Sequence, residues 1–364
     1  MRVAAPLLIL AATGLIGGGR HEVGANSGND GGLFVLDTRT GAARYFNADG
    51  KRSGRNLAFN AEAKEEEAGT YRLAVNSGAL GGAWILNSKN GIAKYFNIRQ
   101  GQVGPNMKFE EPEKPGPLGS FTLAANSGDA GGVYLMDSRL GLVRMFAFEG
   151  DRLGKDIRFD AGVTAAQETG RFSLESNNGN AGGVFLLDTK TGLCRFFQKD
   201  GAQFGKDMRF DAGAPADAKA GRFTLSANSG EAAGVFLADT KTGVCRYFRV
   251  DGTQFGRDIK FAAENPERSV EGRFAISANS GTAAGTFVLD SMTGLARFYH
   301  VIKGEQFGAD FKFPDSPVFH KEAGRFALSA NAGDWGGIML QDTESGVVRY
   351  FKVDGKQVGS DIKD

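Results

Sequence analysis

The residues best spaced for chemistry in this 364-residue chain are two acidic segments, Asp200–Asp207 and Asp251–Asp258, each reading Asp-Gly-x-x-Phe-Gly-x-Asp. Carboxylates around glycines suggest a calcium loop. The spacing departs from the ligand positions of an EF-hand, and related segments break it. Asn56 and Asn106 replace the second aspartate, and Gln100 and Lys303 replace the first. A turn is the expected role. The histidines, His21, His300 and His320, have no metal-ligand spacing to one another or to the two cysteines. No nucleophile elbow or phosphate loop is present.

These segments belong to a larger repeat. Asn-Ser-Gly-x-x-Gly-Gly, or a close variant, leads an apolar run and then a segment such as Asp-Thr-Lys-Thr-Gly. The lead asparagines are Asn26, Asn76, Asn126, Asn177, Asn228, Asn279 and Asn331, spaced 50 to 52 residues apart. Each copy holds four strand-like segments. In the fifth copy these are Phe223–Ala227, Gly234–Asp239, Val244–Val250 and Asp258–Phe261. Asn-Ser-Gly, Asp-Gly and Asp-Thr-Lys-Thr-Gly supply turn chemistry between them. Four strands per copy and seven copies predict an all-β, seven-bladed β-propeller of four-stranded antiparallel blades. Blades stacked around an axis cover each other's faces, and the 29 phenylalanines supply the filling. The ring is expected to close by a strand clasp, with Asp361–Lys363 pairing beside Glu22–Ala25 of the first blade.

The segment Leu187-Asp-Thr-Lys-Thr-Gly192 and its relatives resemble the strand–hairpin part of bacterial seven-bladed propellers of the YVTN and PQQ-like type. The Gly-His and Trp-Asp pairs of WD40 blades are missing. The double glycines precede the apolar strand, unlike those of kelch repeats. The resemblance implies a fold and no particular activity.

Residues 1–19 read as a secretory signal or N-terminal anchor, with Arg2 before the apolar run Val3–Ile16, and residues 20–364 as one propeller. Export to the periplasm or the extracellular space is the expectation. Lys+Arg is 43 against Asp+Glu 42, a balance that predicts no nucleic-acid partner and membrane contact only through the N-terminal segment. Cys194 and Cys245 occupy one slot in neighbouring copies, where the others place Ala43, Ala93, Val143, Ala296 and Val348. Blades packed about 10 Å apart hold them too far apart for a disulfide, so two buried free thiols are predicted.

The repeated asparagines are expected to lock their own turns, and a polar ring around one mouth is the alternative. The set Arg44, Lys94, Arg144, Arg195, Arg246, Arg297 and Arg349 is expected at a solvated edge, with an anion-binding belt as the alternative. Departures from the repeat are more informative. Between Asn-Ser-Gly and the double glycine, most copies place Ala second, but copy one has Asn29-Asp30, copy two Ala79-Leu80 and copy seven Asp334-Trp335. In a closed ring these copies are neighbours. Trp335, Asp334, Asn29, Asp30 and Leu80 are therefore the candidate partner-binding residues, with the aromatic as anchor. Phe319, in the linker Pro314–His320, is a further candidate contact.

The leading functional expectation is an exported, non-enzymatic binding or assembly scaffold with a protein or glycan partner and no cofactor. One alternative is a lectin-like propeller binding several sugars between its blades. Another is an extracytoplasmic enzyme with a metal, such as calcium, at the channel mouth, each blade contributing an oxygen.

Overall fold

The computed structural model describes residues 19–26, 32–47, 49–60, 64–76, 81–109, 115–126, 131–159, 168–177, 182–210, 218–228, 233–263, 268–279, 285–313, 320, 322–331 and 336–363. Seven four-stranded sheets follow one another along the chain, each an antiparallel meander in sequence order. Blade four, for instance, comprises Phe172–Asn177, Gly183–Asp188, Leu193–Gln198 and Gln203–Arg209. The first strands pack on one another around the axis, and the fourth strands form the outer rim. No described helix is long and apolar enough to cross a membrane.

Burial follows each strand's place in the blade. The second strands, such as Gly234–Asp239, are buried along their whole length because blades cover both faces. The fourth strands are exposed along most of their length and anchored by one buried side chain: in Gln203–Arg209, Met208 is buried and Arg209 exposed. A ring pair recurs at successive seams. Phe210 of blade four meets Phe223 of blade five at 5.4 Å, and Phe261 meets Phe274 at 5.4 Å.

The closure corrects the expected clasp. Gln357–Ile362 pairs with the third strand of its own blade, with Val348 opposite Ile362. Buried Ile362 and the Arg349–Asp361 ion pair at 3.0 Å fasten it there. The ring closes by a joint used at every other seam. The N–H opening each first strand donates to the carbonyl after the hairpin aspartate of the preceding blade. Phe223 N–H reaches Thr189 O at 2.8 Å, Phe274 reaches Thr240 at 2.8 Å, and His21 reaches Thr343 at 3.1 Å. Hydroxyls reinforce the joint: Thr240 Oγ1 donates to Gly221 O at 2.8 Å and accepts Gly272 N–H from the next blade at 3.0 Å. Gly19 takes the place of Gly221 in blade one, its carbonyl accepting the Thr38 hydroxyl at 2.9 Å.

The cationic set is likewise not a solvated edge. Arg246 forks onto Asp258 with Nε and Nη2 at 3.0 Å, and its guanidinium lies 4.8 Å over Phe210 of the preceding blade. Arg195 and Arg297 repeat this over Phe159 and Phe261. Each cation therefore ties its own fourth strand to the neighbouring blade, with its charge shielded from solvent. The acidic motif of the sequence is the other half of this tie. In blade two, where Asn106 replaces the aspartate, Lys94 instead donates to Phe59 O at 2.7 Å and lies over that ring at 4.6 Å. Burial lowers its ammonium pKa.

Hydrogen bonds from Arg195, Arg297 and Arg349 hold the carboxyls of Asp207, Asp310 and Asp361 below their ordinary value of 3.8. A depressed folded-state pKa contributes stability that is complete above the unfolded value and disappears as pH falls through the folded value. Thermal melts are expected to be level from pH 7 to about 5 and to fall steeply below 3.8. Replacing Arg297 with glutamine should shrink that acid-side fall, and an unchanged profile would count against these pairs.

Candidate partner-binding mouth

Each first strand ends on the repeated asparagine, which pairs with the glycine opening the second strand: Asn26 with Gly32, Asn76 with Gly82, Asn331 with Gly337. The loops between them consequently spring from one end of the ring. The first strands of blades seven, one and two pack consecutively, so the bases of these three loops are neighbours. Asn29, Asp30, Leu80, Asp334 and Trp335 all belong to these loops and lie outside the described residues, as does Phe319.

The loop bases are rigid. Asn26, Asn76, Asn126, Asn177, Asn228 and Asn279 are buried. The second glycine of each pair has a packing role. A Cβ on Gly234 would fall 2.6 Å from the Tyr247 hydroxyl and within 3.0 Å of Phe248 O. Gly32 and Gly82 meet Tyr45 and Tyr95 in the same way. Ala233 and Ala284 replace the first glycine in blades five and six, but in blade three Gly131 has a φ of +50° and a Cβ there would run into the Phe148 ring.

Between blades two and three lies an aromatic cluster that the sequence analysis did not single out. Phe148 of blade three stacks on Trp84 at 5.6 Å and 15°, and meets Tyr95 at 4.7 Å. Trp84 Nε1 and Tyr95 OH are buried and have no hydrogen-bond partner among the described residues. Burial pushes the Tyr95 hydroxyl up to about 12. The available signal was Phe148 itself, in a slot held by Lys199, Val250 and Val353 elsewhere.

Titratable groups are dispersed. His21 packs against the hairpin glycine Gly346 at the closing seam. His300 Nδ1 accepts the Ile302 N–H at 3.3 Å, and the His320 ring lies 5.5 Å from Phe326. Among the described residues, no three His, Cys, Asp or Glu side chains are grouped to hold a metal. Near the axis, Glu22 of blade one meets Arg72 of blade two at 3.4 Å. Burial raises the Glu22 pKa despite that cation. Cys194 and Cys245 are buried free thiols in adjacent blades, as predicted, and burial raises both pKa values. At the opposite end of the closing seam, Gly19, His320, Glu322, Arg325, Thr343 and Glu344 line an open polar cleft of about 320 Å³.

No family model and no curated protein matches the chain. Solved structures do match. A streptogramin B lyase is 9% identical, over 96% of this chain and 95% of that one, with a TM-score of 0.59. Virginiamycin B lyase from Staphylococcus aureus is 11% identical over 81% and 85%, at 0.55. Hsv2 from Kluyveromyces lactis is 14% identical over 91% and 92%, at 0.51. The shared feature is the propeller fold. At such identities the likeness extends no further, and the two kinds of neighbour have different names and roles.

Proposed function

We propose that this propeller is a non-enzymatic binding scaffold, exported by its N-terminal segment, that presents the loops of blades seven, one and two to a protein partner. One observation carries the reading. The repeated arginines of the third strands and aspartates of the fourth are engaged in joints between and within blades, whereas the repeat breaks at loop positions rooted on three adjacent first strands. A tryptophan and a leucine beside acidic residues have the character of an interface anchor with a polar surround.

The test begins by tethering the chain through its C-terminus and recovering its partner from the cell envelope. The purified pair is then titrated calorimetrically. One partner per chain is expected, and Trp335→Ala should weaken binding about 30-fold or more at unchanged melting temperature. Equal binding by variant and parent would discard the patch. Several ligands per chain would favour the lectin-like alternative. Stoichiometric calcium in the purified protein would favour a metal at the channel mouth.

A further inference from the structure

The outer rim carries a second surface, at the same end of the ring as the loop mouth but on blades four to six, and not dependent on it. Blade six departs from its neighbours there. Its Arg297–Asp310 pair spans 13 residues, where Arg246–Asp258 in blade five spans 12. The extra residue lies in the turn between the third and fourth strands, where Ile302 is 55% exposed. Phe307, at the start of the fourth strand Gln306–Lys312, is 56% exposed. Phe255 of blade five approaches the same turn, its neighbour Gly256 lying against the Val301 and Ile302 carbonyls. Phe204 continues the stripe on blade four, 43% exposed.

Cations flank this apolar stripe. Lys303 on blade six, Arg257 on blade five and Lys206 on blade four are exposed beside it, and Lys260 and Lys312 are exposed at the far ends of their fourth strands. The aspartates of the fourth strands do not cancel them. Asp207, Asp258 and Asp310 are turned onto Arg195, Arg246 and Arg297 behind them. We propose that the rim of blades four to six is a docking surface for an acidic polypeptide segment with apolar side chains, seated on Ile302 and Phe307 and flanked by these cations.

Three features select this occupant. A second copy would set cations against cations. A uniformly anionic bilayer would face the exposed acids Asp251 and Glu305, which stand in the same turns. A polypeptide can place its own charges to suit both signs while filling the apolar stripe. Strand addition is not needed. The fourth strand is bulged where its register shifts between Ala296 and Phe298, a device that guards an edge against pairing.

The test uses the full chain and a fluorescent peptide of alternating glutamate and leucine, followed by anisotropy. Binding is expected, weakening as salt is raised. Ile302→Ser with Phe307→Ser should weaken it at least tenfold, and Lys303→Glu should weaken it further. Both positions are exposed, so melting temperatures should hold. Leu140→Ser, an equally exposed change in a second-to-third-strand turn at the other end of the ring, should leave binding intact. Absence of peptide binding, equal binding of a lysine–leucine peptide, or equal loss in Leu140→Ser would overturn the proposal. Preferential binding to phosphatidylglycerol vesicles would also overturn it, in favour of a lipid surface. Trp335→Ala should not affect this binding, so failure here and failure of the loop-mouth reading are separable.

Discussion

Replacing Asp290 with asparagine is expected to destabilise the protein by about 3–5 kcal/mol, the cost of leaving one partner of a buried ion pair uncompensated. Arg273 and Asp290 are each 1% exposed, joined at 2.7 Å through Nη2 and 3.1 Å through Nε. Asparagine retains the oxygen that accepts the Met292 N–H at 3.1 Å, so the change isolates the charge from the turn. The same pair exists in blade one as Arg20–Asp37 at 3.1 Å, but there the arginine side chain is 51% exposed. Water can solvate Arg20 when its partner is lost, so Asp37→Asn should cost no more than about 1 kcal/mol. Urea melts of the two variants provide the comparison. Equal losses would show that burial is not what sets the strength of the pair. Adding Arg273→Met to Asp290→Asn should recover most of the loss, because the buried charge is then removed.

The second large effect is expected at the base of the loops. Gly234→Ala should destabilise by about 1–3 kcal/mol or more, since a methyl group has no room between Phe248 O and Tyr247 OH. Tyr247→Phe in the same chain should relieve only part of this, because the backbone carbonyl stays in place. Gly101 offers the contrasting case. It has nothing within 4 Å but a φ of +86°, so Gly101→Ala meets backbone strain without a clash, at about 1 kcal/mol. Thermal or urea melts separate the two kinds of glycine. A Gly234→Ala protein as stable as its parent would refute the packing account of the double glycine.

Much of this architecture was legible because it is local. The period-two alternation of Phe223–Ala227 and the turn residues of Asp239–Gly243 specify strands and a hairpin within about ten residues. The equivalence of Cys194 and Cys245 with Ala43 and Val143 marked a small buried slot, and the thiols are buried and unbridged. The strand clasp was misread because Asp361-Ile-Lys363 alternates equally well against either candidate neighbour. The Asp361–Arg349 pair, twelve residues apart, decides between them. The arginines were misread for a similar reason. Their second partners, such as Phe210 for Arg246, come from the preceding blade, and composition records no such pairing. The candidate loop residues lie outside the described residues, and their role rests on the titration of Trp335→Ala.

Sequence alone determined seven blades of four strands, because strand period, turn chemistry and repeat length are all written over short distances. Only the tertiary structure decided how the ring closes and where the charge goes. A chain of net charge +1 reads as having no basic field. Folding turns the aspartates of the fourth strands onto arginines behind them and leaves the exposed lysines and arginines of those strands facing outward. The rim is basic because antiparallel meanders place every fourth strand at the circumference, so charges that cancel in composition are separated in space.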